Sequence, residues 1–238
     1  MRPGSRHLLL CSLCGFLPLS APAVLGAQTI SLDEGSLQLL VGGREVGRET
    51  FTIRQNGTGP AMVIIARGAV VLDTAGAPQQ LQALLRVEGP GLRPASYNLN
   101  LVGGNGQRIA GQLVGNRFSA RILSSAGEQM REYLASEGAV LVEEGIAHHH
   151  YFLARRFAAG MTNIPVIIPR RNLQISAVVT DAGSGSVDVG GRAIRARHLV
   201  ISPTGAPERH LWVDDDGRIL RLEIPARAFV ARREAPPG

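Results

Sequence analysis

The stretch Arg209-His-Leu-Trp-Val-Asp-Asp-Asp-Gly-Arg-Ile-Leu-Arg-Leu-Glu-Ile224 decides the fold class. Leu220, Leu222 and Ile224 share one parity and Arg221 and Glu223 the other, the period-2 pattern of a strand with one buried and one wet face. Asp216-Gly217 tolerates the positive φ angles of a short connection, so the segment reads as a hairpin whose pairing is set locally.

The same grammar recurs upstream. Ser36–Gly43 and Val46–Arg54 flank a glycine turn, with Phe51 and Ile53 on one face and Thr50, Thr52 and Arg54 on the other. Ala61–Leu72 is a more continuous apolar run and Gln79–Glu88 a further strand. Tyr97, Leu99 and Leu101 alternate with Asn98 and Asn100 before Gly103-Gly-Asn-Gly106, which lacks the spacing of a phosphate loop and reads as a hairpin turn. Ile109–Leu113 and Phe118–Ile122 follow, joined by Gly115-Asn116. Neighbours linked by Asn/Gly turns pair in order, so a meander is expected, and Ile175–Thr180, Ser186–Val189, Ala193–Ile201, Arg209–Asp214 and Arg218–Val230 extend it. Val166–Ile168, between Pro165 and Pro169, reads as an edge or connecting segment.

The period changes once. Ile146, His150, Leu153 and Phe157 share a helical face between Gly145 and Gly160, which predicts an amphipathic helix over residues 146–161. Amid strands it has only the inner face of the sheet to pack on. The predicted fold is therefore mainly β: a curved antiparallel sheet forming an incompletely closed β-barrel, with one amphipathic helix as its plug.

Arg2 and Arg6, the apolar run Leu8–Leu19 and the small residues up to Ala27 have the order of a cleavable secretory signal peptide, interrupted by prolines and too short to span a bilayer. This predicts export to the periplasm, a single domain over residues 28–231 and a disordered tail over residues 232–238. Both cysteines, Cys11 and Cys14, fall in the leader, so the remainder has no disulfide or thiolate metal site and relies on core burial. All 25 basic residues are arginine, a skew read as mutational bias. With the two leader arginines removed the 19 acidic residues leave a charge near +4, and the arginines are dispersed among few aromatics, which excludes a nucleic-acid groove.

The triplet His148-His149-His150 follows Glu143 and Glu144. Glu144 and His148 stand four apart on a helix and are the outside candidates for metal ligands, but successive histidines point about 100° apart and no H-E-x-x-H is present. No metal and no cofactor is expected; His150 is placed on the apolar face, with His148 and His149 in solvent. His198 and His210, on consecutive strands, could join Ser202 and Asp214–Asp216 in a hydrolytic set. No G-x-S-x-G elbow supports this, and the acidic trio is explained by turn chemistry, so no catalytic residue is assigned.

Val41-Gly-Gly-Arg-Glu-Val-Gly-Arg-Glu-Thr-Phe51 and His210-Leu-Trp-Val-Asp-Asp-Asp-Gly-Arg-Ile-Leu-Arg-Leu222 resemble the opening and closing hairpins of uncharacterised bacterial periplasmic families whose fold is similar to the lipoprotein-localisation carriers. The resemblance implies a strongly curved open sheet around a helical plug, with an apolar cavity that in the carriers accepts acyl chains. The expected function is non-enzymatic binding of a lipid or other apolar or amphiphilic small molecule. Phe51, Ile53, Tyr97, Leu99, His150, Leu153, Phe157 and Trp212 are the expected lining. The alternatives are a histidine-dependent hydrolase or metalloenzyme of the envelope, and an envelope scaffold that uses a sheet edge. Membrane-surface contact and oligomeric state are left open.

Overall fold

The computed structural model describes residues 29–74 and 77–238, so the leader expected over residues 1–27 lies outside the described residues. The first half of the molecule is a succession of hairpins: β1 (Thr29–Val41), β2 (Arg44–Asn56), β3 (Val63–Thr74), β4 (Ala77–Glu88), β5 (Arg93–Val102), β6 (Gln107–Val114), β7 (Arg117–Ser124) and β8 (Gly127–Leu134). The chain then forms β9 (Val140–Leu141) and α1 (His150–Ala158). It returns as β10 (Asn163–Ile168), β11 (Leu173–Val189), β12 (Arg192–Pro203), β13 (Arg209–Val213), β14 (Ile219–Ile224) and β15 (Phe229–Arg233). Antiparallel pairing of β1 with β15 joins the halves into one sheet, in which β8 and β9 are the two outer strands.

Curvature follows from connectivity. Laid flat at about 4.8 Å per strand, the sheet would hold β8 and β9 roughly 65 Å apart, but residues 135–139 alone connect them, a reach of about 20 Å. The sheet therefore curls until its ends come near each other. No backbone ladder closes it. Instead the Gln174 side-chain amide donates to Leu134 O at 2.7 Å and accepts from Leu134 N at 2.9 Å, replacing a ladder rung across the gap. The expected barrel-like sheet with a helical plug is what the molecule adopts.

The turns obey their residues. Gly42 and Gly43, both at positive φ (+57° and +77°), form the two-residue link of β1 and β2. In the β13–β14 hairpin, buried Asp214 accepts from the amides of Asp216 (3.0 Å) and Arg218 (2.8 Å), while Gly217 takes φ +80°. A second device appears twice. Ile168-Pro169-Arg170-Arg171-Asn172 and Ile224-Pro225-Ala226-Arg227-Ala228 each make one 3-10 turn that ends left-handed, at Asn172 (φ 49°) and Ala228 (φ 47°).

Several expectations are corrected. The helix is shorter than residues 146–161, because Glu143–His149 is drawn into a hydrogen-bonded loop that α1 continues. His148 and His149 are fully buried rather than solvated. Residues 232–238 are not a loose tail: Arg232 and Arg233 belong to β15, Arg233 is buried, and the Glu234 amide bonds Ser36 O at 3.0 Å. Ser186–Val189 continues the strand begun near Ile175, with a bulge between Asp181 and Ser184. Residues 218–230 instead split at Pro225.

The core lies between the concave inner face and the segment 139–168. Leu37, Leu39, Ile53, Ile64, Leu85 and Tyr97 of the first half meet Ile164, Val179, Ile201 and Leu211 of the second in one apolar cluster, with Tyr151, Phe152 and Leu153 of α1 inside it.

Candidate functional site

Three places concentrate polar chemistry. The first is inside the core. Glu49 has the parity of Phe51 on β2 and projects inward, fully buried. It accepts from the Ala147 amide (2.7 Å) and the His148 amide (3.0 Å), and its Oε1 lies 2.6 Å from His148 Nδ1. The His148 ring stacks parallel to Phe51 at 5.5 Å and meets His149 edge-on at 4.6 Å. Gly68 on β3 makes room for it, since a Cβ there would run into His148 Cε1. Glu143, also buried, accepts from the amides of Glu144 (2.9 Å) and Arg170 (3.3 Å) and from the Tyr97 hydroxyl (3.4 Å).

Electrostatics here are governed by burial. Removal from water pushes Glu143 up to about 7 against the pull of its donors, and pushes His150 down to about 3. His149 is lowered well below the usual histidine value, by burial first and by neighbouring His148 and His150 second. The cluster consequently holds the loop before α1 in place rather than presenting reactive groups to solvent.

Glu144 and His148 do not converge on a shared ion position. Glu144 is engaged by Arg171 (3.1 Å) and by Arg227, one guanidinium from each Ile-Pro turn, while His148 is committed to Glu49. Among the described residues no group of three histidine, cysteine or carboxylate side chains is arranged to hold a metal.

The second place is a trough of about 1000 Å³ on the opposite, solvent-facing side of β2–β7. Register defines its walls. Thr50, Ala69, Gln82, Asn100, Arg108 and Leu123 stand opposite one another from strand to strand, as do Thr52, Arg67, Leu84, Asn98, Ala110 and Arg121. Between these rows runs Phe51–Gly68–Ala83–Leu99–Ile109, in which Phe51, Ala83, Leu99 and Ile109 turn their side chains to the core and Gly68 has none, so the main chain forms the floor. The rows are two residues apart along each strand, about 7 Å, and cross six strands, about 24 Å. Alanines leave the floor uncovered in both rows. Arg121 pairs with Glu128 (2.6 Å) and Arg108 donates to Asn100 (3.4 Å), whereas Arg67 makes no ion pair among the described residues.

The third place is the outer face of β12–β14. His198 stacks on Trp212 at 4.4 Å with the rings 3° from parallel, and its Nε2 lies 2.9 Å from His210 Nδ1. His210 Nε2 faces Glu208 Oε1 at 3.2 Å, and Ser202 donates to the other oxygen of Glu208 at 3.1 Å. The sequence pointed to this juxtaposition of histidines, but the serine bonds a carboxylate instead of a histidine, and Asp214 serves its turn. A nucleophile paired with its base, which acyl transfer requires, is not assembled there.

The eight side chains expected to line one cavity are distributed over both faces. Phe51, Ile53, Tyr97, Leu99, His150 and Leu153 are buried, with Phe157 partly buried at the end of α1. Trp212 belongs to a separate small cluster with Val189, Ala196 and Leu220. Of the eight, Phe51 and Leu99 border the trough from beneath. Sequence reasoning passed over Glu49, although an acid in the core-facing parity of a strand was a readable signal. It also passed over the trough arginines, whose rows exist only through pairing register.

No family model matches the chain, and no curated protein matches it in sequence. In three dimensions it is similar to the crystal structure of a β-barrel-like protein of domain of unknown function DUF1849 from Brucella abortus, with a TM-score of 0.54 and 11% identity over 86% of this chain and 96% of that one. At that identity the likeness is one of fold: this chain shares a β-barrel-like architecture with that protein.

Proposed function

We propose that the protein is a non-enzymatic binding protein of the cell envelope, which holds an elongated anionic amphiphile in the trough across β2–β7. One observation carries the reading: a concavity of about 1000 Å³ combines three arginines with amide and hydroxyl side chains over a floor left open by alanines. The interior is a weaker host, because the apolar side chains expected to line it pack against α1 and its preceding loop. At about 24 Å the trough accommodates a long acyl chain lying across the strands. Leu84, Leu123 and the arginine stems offer apolar contact, and the guanidinium heads fix an acidic group. The leader-like residues 1–27 and the β-barrel-like fold support an exported carrier.

The test is titration of untagged protein with a fluorescent C16 fatty acid, compared with its methyl ester. Saturable binding of the acid, with the ester at least tenfold weaker, is expected, and R67A together with R108A should abolish that preference. A bulky A69W substitution should block both probes without lowering thermal stability, since Ala69 is exposed. Absence of saturable binding, or binding untouched by A69W, would overturn the reading.

A further inference from the structure

Outside the trough, two histidines on β12 and β13 bring their ring nitrogens within 2.9 Å of each other. His198 and His210 are diagonal neighbours on adjacent strands, His198 standing opposite Trp212 and His210 opposite Val200. Both rings are partly buried, and neither is free to wander. His198 is held flat against Trp212, and on β14 Arg221 places its guanidinium 5.5 Å from the same indole while pairing with Glu223.

The hydrogen-bond pattern selects tautomers. A proton on His210 Nε2 is drawn to Glu208, itself anchored by Ser202, which leaves His210 Nδ1 as a lone pair directed at His198 Nε2. A carboxylate on the far nitrogen of a ligating histidine is the usual support of an imidazole that binds a metal. In the metal-free protein His198 Nε2 donates to that lone pair across 2.9 Å, so an ion enters by displacing this bridging proton, which moves His198 to the Nδ1–H tautomer and turns both facing nitrogens into ligands.

We propose that His198 Nε2 and His210 Nδ1 bind one divalent first-row transition ion, with Glu208 as the positioning residue and water filling the remaining coordination positions. At metal–imidazole distances of about 2.0–2.1 Å, two nitrogens 2.9 Å apart subtend an angle of about 90° at the ion. That is a cis pair of a tetragonal or octahedral ion, so Cu2+ and Ni2+ are preferred over tetrahedral Zn2+. The carboxylates of Glu208 and Glu223 supply counter-charge nearby.

Trp212 is the only tryptophan in the chain and lies against a proposed ligand, so it reports occupancy directly. Untagged protein is titrated with Cu2+, following Trp212 fluorescence, and the bound ion is counted by equilibrium dialysis. Saturable quenching at one ion per chain is expected, and Ni2+ should displace Cu2+ more effectively than Zn2+ does. H198Q and H210Q should each weaken binding at least tenfold and the double variant should abolish it, whereas E208Q should weaken it about tenfold while keeping the stoichiometry. All four variants lie on the solvent face, and unchanged thermal unfolding without metal verifies that they fold. Unsaturable quenching, a stoichiometry of zero by dialysis, or full binding by the double variant would overturn the proposal and leave the two histidines as a hydrogen-bonded pair only.

Discussion

Glu143 shows how much one buried side chain can couple the fold to pH. Its carboxyl, raised to about 7 by burial, holds a proton in the folded protein over a range where the unfolded chain, with a value near 4.5, has released it. Between those values the native state binds more protons, so this group makes stability fall as pH rises, and above about 7 its ionisation costs on the order of 3 kcal/mol. His150 acts in the opposite sense. Lowered to about 3, it is neutral in the fold while the unfolded chain takes up a proton below about 6.5, so stability is lost as pH falls through that window. We predict that E143Q, which keeps one oxygen to accept from Tyr97 and the Arg170 amide, gains stability relative to the parent as pH rises from 4 to 8. The gain should reach about 3 kcal/mol in urea unfolding followed at each pH. An equal difference at both ends of the range would refute it. Glu49 and Gly68 belong to the same residue-level design. The acid satisfies three donors, and the missing Cβ admits the ring that carries one of them. Strand parity marks Glu49 as inward-facing, but its partner lies nearly a hundred residues away and no local pattern names it.

At the scale of elements, the two Ile-Pro turns perform one task with unequal residues. Each reverses the chain through a left-handed residue, and the arginines before those residues, Arg171 and Arg227, close on the same Glu144. Asn172 tolerates that conformation, whereas alanine at 228, with φ 47° and an exposed side chain, pays a steric cost of about 1 kcal/mol. We predict that A228G raises stability by about 0.5–1 kcal/mol, read as an upward shift in the denaturation midpoint with unchanged denaturant slope. No gain would mean that the turn relaxes around alanine without strain. Hairpins such as β1–β2 and β13–β14 were legible because Gly-Gly and Asp-Gly fix the connection within a few residues. Strand β8, Gly-Glu-Gln-Met-Arg-Glu-Tyr-Leu, was not, because an outer strand with most side chains in solvent carries no apolar alternation to read.

For the molecule as a whole, the seam between β1 and β15 is decisive, since it is the one ladder that unites the two halves. A buried ion pair marks it. Arg233 Nη1 meets Asp33 Oδ1 at 2.8 Å, the Ile219 amide donates to Asp33 Oδ2 at 3.0 Å, and Arg233 also donates to the carbonyls of Ile219 and Glu34. Burial raises the Asp33 carboxyl even beside its arginine, as expected where desolvation rivals the Coulombic gain. Breaking the pair leaves one ion uncompensated. We therefore predict that D33N and R233M each cost about 3–5 kcal/mol and the double variant clearly less than their sum. Amide exchange in D33N should accelerate in both halves together, because the seam is shared. Loss of protection confined to β15 would show that the halves stand independently.

The local code was sufficient for the β class, most hairpins and the amphipathic helix, since period-2 alternation, turn residues and the change to a helical period act over a few residues. It did not extend to the closure of the ends by Gln174, the burial of His148 and His149, the ordered C-terminal residues or the cationic trough. Each of those depends on partners brought together by strand register or by the curl of the sheet. Alternation says that a side chain faces inward or outward, but what it faces is settled only when distant strands pair and the long connection folds back into the space they enclose.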